Sequence, residues 1–194
     1  MSRDTGHKIY TIPNLLTALR IILIPVITVL ALFPGRAYGL FAALLYLIAS
    51  LTDYFDGYLA RRWDEVSPLG KIFDPMADKL LVTAPLIVLV SLGRAPALIV
   101  VIIICRELAI TSLRGIAAAS GIVIQAEEMG KYKTTFQTIA ICPLLAHYEY
   151  FYIDLHFGGV YFLVVSMVIG VWSGFDYFRK FLGALLAREG GDGE

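Results

Sequence analysis

Six apolar runs follow one another along the chain, at about 11–33, 38–61, 71–92, 96–119, 131–148 and 159–182. A helix that crosses a bilayer needs about 20 mostly apolar residues at a rise of about 1.5 Å each. Five of the runs meet that length, and the fifth in order is short. Pro34-Gly35, Gly93 and Ser120-Gly121 punctuate the pattern with residues that stop helices. The pattern predicts an all-α integral membrane protein, a bundle of six transmembrane helices. It reads as one domain over 1–194, with a short N-terminal segment 1–10 and a flexible tail 189–194. There is no internal repeat and no low-complexity linker.

Composition agrees with a lipid solvent. Of all residues 58% are hydrophobic and 16% charged, against about 25% charged in a soluble domain. The formal net charge is zero, which argues against a nucleic-acid partner. The first apolar run is too long for a signal-peptide core and no small-residue cleavage site follows it. Cys105 and Cys142 lie inside apolar runs and read as buried packing residues. Lys and Arg alternate between the two ends of the bundle. Arg3 and Lys8 precede the first run, and Arg61, Arg62 and Lys71 lie between the second and third. Arg114, Lys131 and Lys133 flank the fourth-to-fifth connection, and Arg179, Lys180 and Arg188 mark the end of the sixth run. The opposite connections hold only Arg36 and Arg94. The excess of positive charge on cytoplasmic loops then places both termini in the cytoplasm, in an inner membrane. Tyr148, Tyr150, Phe151, Tyr152 and Phe157 form an expected aromatic belt on the outer side. His7, His147 and His156 read as interface residues.

Charge inside the apolar runs points to chemistry. Asp53 and Asp56, three apart, end the second run, and Asp74 and Asp78, four apart, begin the third. Each pair shares a helix face. The two runs are consecutive and are expected to be antiparallel neighbours, so the four carboxylates converge at one depth. Four such charges in a low-dielectric site repel unless cations balance them. All-oxygen ligands suit Mg²⁺, Mn²⁺ or Ca²⁺. Gly57 and Ala60 are small enough for close approach of a flat ligand, Arg61 can grip a phosphate with two parallel hydrogen bonds, and Gly70 lies one turn before Asp74. Pro75 sits where it can set the angle of the third helix. The set suits a pyrophosphate substrate bridged by metal, or else the ion site of a cation transporter.

Residues 53–78 read Asp-x2-Asp-Gly-x2-Ala-Arg-x8-Gly-x3-Asp-x3-Asp without departure. This resembles the signature of the CDP-alcohol phosphotransferases. The resemblance implies a six-helix membrane fold, a homodimer, and transfer of a phosphatidyl or similar group from a CDP-linked donor to an alcohol with release of CMP. It implies that Asp53, Asp56, Asp74 and Asp78 hold two ions of Mg²⁺ or Mn²⁺, and that Asp78 is the general base. It also implies that Asp53, Asp56, Gly57, Ala60, Arg61, Gly70 and Asp74 bind the CDP moiety.

Three further stretches are similar to the phosphatidylglycerophosphate synthases of that family. They are Ile12-Pro13-Asn14-Leu15-Leu16-Thr17 with Arg20, Arg106-Glu107 with Thr111-Ser112-Leu113-Arg114, and the run from Gly130 to Gln137. They imply CDP-diacylglycerol as donor and glycerol 3-phosphate as acceptor. Such an acceptor needs a second cationic pocket, for which Arg106, Arg114, Lys131 and Lys133 are candidates, with Asn14 and Arg20 lining the site. Arg106 alternatively pairs with Glu107 or a motif aspartate, and Lys131 and Lys133 with anionic lipid. The expected reaction is one in-line displacement. Asp78 takes the proton of the sn-1 hydroxyl, the oxygen attacks the phosphorus bearing diacylglycerol, and CMP leaves beside Arg61. Serine or an inositol phosphate is the competing acceptor, and the cationic set argues against serine.

Overall fold

The computed structural model describes residues 12–63, 68–121, 129–148 and 154–191, the helical stretches 12–13, 53–63, 68–72, 129–131 and 187–191 by backbone alone. These residues form six helices: α1 (Ile12–Leu32), α2 (Arg36–Trp63), α3 (Pro68–Ser91), α4 (Ala97–Ala119), α5 (Met129–Ala146) and α6 (Leu155–Gly191). Each coincides with one apolar run. Glycines in the left-handed region, Gly93 at φ +68° and Gly121 at φ +69°, close α3 and α4. The Asp154 carboxylate accepts the Phe157 N–H at 3.1 Å and caps α6. That helix runs beyond the expected 182. Good helix formers continue past the apolar run, and Lys180 pairs with Asp176 one turn earlier at 2.7 Å.

The helices do not pack in chain order. They close a ring in the order α1, α2, α5, α6, α4, α3, and α5 also reaches α3 across it. The second and third spans touch, and the side chains at the ends where they approach their connection, 53–72, lie outside those described. Among the described residues α2 and α3 touch only slightly, and α1 packs on both. Helix α1 is held to α3 by its polar side chains Thr17 and Arg20, which are buried and find their partners there. The core runs along α5, where Ala140, Ile141, Leu144 and Leu145 are fully buried. Its neighbours come backbone-close. A Cβ on Gly39 of α2 would lie 2.9 Å from the Leu145 carbonyl, and one on Gly159 of α6 only 2.6 Å from Leu144 Cγ. Small residues at such crossings are the usual device for packing helices in lipid.

The outer surface is apolar. Leu15, Ile22, Phe41, Leu98, Leu108, Trp172 and Phe175 are all exposed. A soluble monomer does not sustain so much exposed apolar surface, whereas lipid does. Within α1 (14–32) and α6 (155–186), mean hydropathies of 2.5 and 1.8 suffice by themselves for a span. The other helices carry the polar residues described below. Cys105, expected in packing, is exposed on the apolar surface because its position on α4 faces away from the bundle; Cys142 is half-buried. At the other end from the aspartates, the Tyr148 hydroxyl accepts the Gly35 N–H at 3.1 Å and its ring lies 5.8 Å from the Arg36 guanidinium. Tyr148 therefore ties α5 to the α1–α2 connection. Tyr150, Phe151 and Tyr152 lie outside the described residues.

Candidate active site

A spacing of four residues, just over one helical turn, places Asp74 and Asp78 on one face of α3. Helix α1 meets that face. The Thr17 hydroxyl donates to Asp74, and the Arg20 guanidinium donates to Asp78 at 2.6 Å. Thr17 and Arg20 are three apart, with Asn14 three before them, so all share one stripe of α1. A guanidinium is costly inside a membrane unless it faces a partner, and Arg20 is only 2% exposed. Asp78 keeps 47% of its side chain exposed. Helix α1 thus braces α3 from behind while leaving the Asp78 carboxylate accessible. Arg20, a sequence candidate, pairs with Asp78, and Thr17, which the sequence does not single out, pairs with Asp74 beside it.

Asp53, Asp56, Gly57, Ala60 and Arg61 lie on the continuous helical backbone of α2, and Gly70 on that of α3. Their side chains fall outside those described. Among the described residues no group of three acidic, histidine or cysteine side chains converges.

A second polar group lies between α4, α5 and α6. Glu107 takes the ammonium of Lys133 and, at 3.0 Å, the guanidinium of Arg106. Arg106 also donates through Nε to the Gly170 carbonyl at 2.8 Å and through a terminal nitrogen to Ser173 Oγ at 3.2 Å. Helix α6 makes room for this with two glycines one turn apart. A Cβ on Gly174 would stand 3.3 Å from Arg106 Nε, and one on Gly170 3.4 Å from Lys133 Cδ. Arg106, Glu107, Lys133, Gln137 and Ser166 line a narrow crevice that the ion pairs fill. Arg114 stacks on the Tyr177 ring at 5.7 Å, and its charge, like that of Arg106, reaches the Lys133 ammonium. Among the described residues, two cations therefore hold the Glu107 carboxylate, with the exposed Arg114 nearby. Two of the expected acceptor residues, Arg106 and Lys133, are brought together; Arg114 stands beside them; the side chain of Lys131 is outside those described. The ion pair of Arg106 with Glu107 forms as the sequence allowed, and it joins Arg106 to Lys133 rather than isolating it.

The aspartate signature lies inside residues 10–172, which match the family model described as CDP-alcohol phosphatidyltransferase. The chain belongs to the CDP-alcohol phosphatidyltransferase family. A relative from Bacillus subtilis (strain 168) is 42% identical over 189 residues, covering 88% of this chain and 95% of that protein. One from Haemophilus influenzae is 33% identical over 184 residues, covering 91% and 96%. One from Salmonella choleraesuis is 34% identical over 181 residues, covering 91% and 98%. All three are named CDP-diacylglycerol–glycerol-3-phosphate 3-phosphatidyltransferase.

For a CDP-alcohol phosphatidyltransferase, the functional surroundings missed by sequence reasoning are Thr17, Gly170, Ser173 and Gly174. The signal for the last three was present. A Gly-x3-Gly pair in an apolar helix marks a face where another helix comes close, and Ser173 sits next to it.

Proposed function

We propose that this CDP-alcohol phosphatidyltransferase moves the phosphatidyl group of CDP-diacylglycerol to the sn-1 hydroxyl of glycerol 3-phosphate, releasing CMP and forming phosphatidylglycerophosphate. Relatives over nearly the whole length carry that activity in their names. The observation that carries the choice of acceptor is the crevice, where among the described residues Arg106 and Lys133 outnumber the carboxylate of Glu107. Two largely buried cations against one carboxylate call for a further anion. A phosphorylated alcohol supplies one, and serine does not.

In this reading Asp78 accepts the proton of the attacking hydroxyl. Arg20 fixes the carboxylate against α1, which supports the in-line approach by limiting the rotamers Asp78 can visit. Arg106 and Lys133 hold the acceptor phosphate as it displaces them from Glu107, and Arg61 stands beside the departing CMP. Asp53, Asp56, Asp74 and Asp78 suit hard divalent ions, because every donor is a carboxylate oxygen and the partners seen on α1 leave Asp78 half-exposed. Two ions of Mg²⁺ or Mn²⁺, when bound there, supply charge neutralisation for the pyrophosphate. The aspartates and both termini face the cytoplasm, so the soluble acceptor arrives from that side while the acyl chains stay in lipid.

Purified protein in detergent, given CDP-diacylglycerol and Mg²⁺, is expected to release CMP with glycerol 3-phosphate and not with serine, inositol or inositol 1-phosphate. Chelation is expected to stop release, and Mg²⁺ or Mn²⁺ to restore it. Release with another alcohol overturns the acceptor, and release that survives chelation overturns the metal.

A further inference from the structure

Around the crevice, the neutral polar groups are nearly all committed. Ser166 Oγ donates to the Leu163 carbonyl at 2.9 Å, and Ser173 Oγ accepts from Arg106. Gln137 is different. It is 2% exposed, it lines the crevice, and among the described residues its amide nitrogen is buried with no hydrogen-bond partner. A buried donor without a partner is costly and rare in native proteins, and it points to a partner that arrives later. We propose that Gln137 reads the non-reacting C2 hydroxyl of the acceptor, and so sets the enzyme's preference for a phosphorylated polyol over a simple phosphorylated alcohol. This rests on the reading of glycerol 3-phosphate as acceptor.

Position on the helix supports the assignment. Gln137 lies four residues after Lys133, on the same face of α5 and about 6 Å along its axis. A phosphate on Lys133 and Arg106 therefore puts the carbon chain of a three-carbon acceptor alongside Gln137. The chemistry also fits. The cations answer the phosphate, and an uncharged amide among them answers an uncharged group. A hydroxyl both donates and accepts, so it pairs with either end of the amide, whichever way the amide is turned. Lys133 and Arg106 alone cannot distinguish acceptors that carry the same phosphate. A site built to bond a hydroxyl does distinguish them, because the analogue without that group leaves the amide unpaired.

The test compares glycerol 3-phosphate with 3-hydroxypropyl phosphate, which keeps the phosphate and the reacting hydroxyl and lacks the hydroxyl at C2. CMP release is measured at saturating CDP-diacylglycerol for the wild type, Gln137→Leu and Gln137→Met. The wild type is expected to favour glycerol 3-phosphate by about 10²-fold or more in kcat/KM. Both variants are expected to lose most of that preference, falling on glycerol 3-phosphate and changing little on the analogue, with KM for CDP-diacylglycerol unchanged. Equal losses on both acceptors, or no loss on either, overturn the proposal and leave Gln137 a structural residue. If neither variant folds, the wild type still decides: equal use of the two acceptors overturns the assignment, and a strong preference upholds the hydroxyl contact. A wild type that ignores both acceptors but uses another alcohol removes the glycerol 3-phosphate reading itself, and the proposal with it.

Discussion

In the proposed mechanism Asp78 has to satisfy two demands that pull against each other. It must be held in place, which Arg20 does at 2.6 Å, and it must stay open to substrate, which its 47% exposure allows. Replacing Asp78 by Asn keeps the shape and removes the proton acceptor. Turnover is expected to fall by about 10³-fold or more, within the range of losing a general base, while CDP-diacylglycerol binding is partly retained; a near-normal rate of CMP release would show that another group takes the proton. Arg20→Met tests the brace instead of the base. The half-exposed Asp78 is solvated when its partner goes, so the stability loss is expected near 1–2 kcal/mol, below the 3–5 kcal/mol of a fully buried pair broken on one side (roughly). The rate is expected to drop about 10²-fold through loss of alignment. Thermal unfolding in detergent and kcat measured on the same preparation separate the two effects. An unchanged kcat would mean that Arg20 only anchors α1. That the aspartates of α3 share a face was legible from their spacing, and that Arg20 needs a buried partner from its charge in an apolar run. Thr17 was not, since a threonine in a membrane helix ordinarily bonds its own backbone, as Thr28 and Thr83 do here.

Helices were the most readable level of this chain, because a span is written as a long apolar run and little else competes with it. The boundaries shifted where helix and apolar run part company. Helix α6 continues through Arg179 and Lys180 to Gly191, since charge ends burial in lipid without ending the backbone hydrogen bonds. The order of helices around the bundle was not legible. It depends on which faces carry glycine and alanine, and on which buried polar groups meet across helices, and a single run shows neither. Two adjacent glycines of α6 isolate the packing effect. At Gly159 a Cβ would come within 2.6 Å of Leu144 Cγ and 3.1 Å of the Ala140 carbonyl, while at Gly158 it would meet nothing within 4 Å. Gly159→Ala is expected to cost about 1–3 kcal/mol by overpacking α6 on α5. Gly158→Ala is expected to be neutral or to stabilise by up to about 1 kcal/mol through helix propensity. Thermal unfolding of both variants checks the pair; equal effects would mean that α6 does not lie against α5 at this register.

At the scale of the whole molecule, α3 links the two polar groups. It carries Asp74 and Asp78, braced by α1, and it packs also on α4 and α5, which carry Arg106 and Lys133. In the proposed reading, a donor held at the aspartates and an acceptor held at the cations therefore share one helix as their common support. That arrangement works only if both groups open to the compartment that supplies a soluble phosphate ester, so the direction of insertion is part of the mechanism. The distribution of Lys and Arg predicts the direction. Arg36 and Arg94 mark the outer connections and the richer clusters the inner ones. Ser91, exposed at the end of α3, and Ser120, at the end of α4, lie at opposite ends of their antiparallel helices. In a chain with Cys105 and Cys142 changed to Ala, a membrane-impermeant maleimide added to intact cells is expected to label Ser91→Cys at once. It is expected to label Ser120→Cys only after permeabilisation. The converse pattern would put the aspartates on the outer side, away from any cytoplasmic pool of glycerol 3-phosphate, and would force a different acceptor on the same site. Labelling of both cysteines in intact cells would mean that α4 does not cross the membrane, and the six-span reading would have to yield at α4 rather than at the active-site helices.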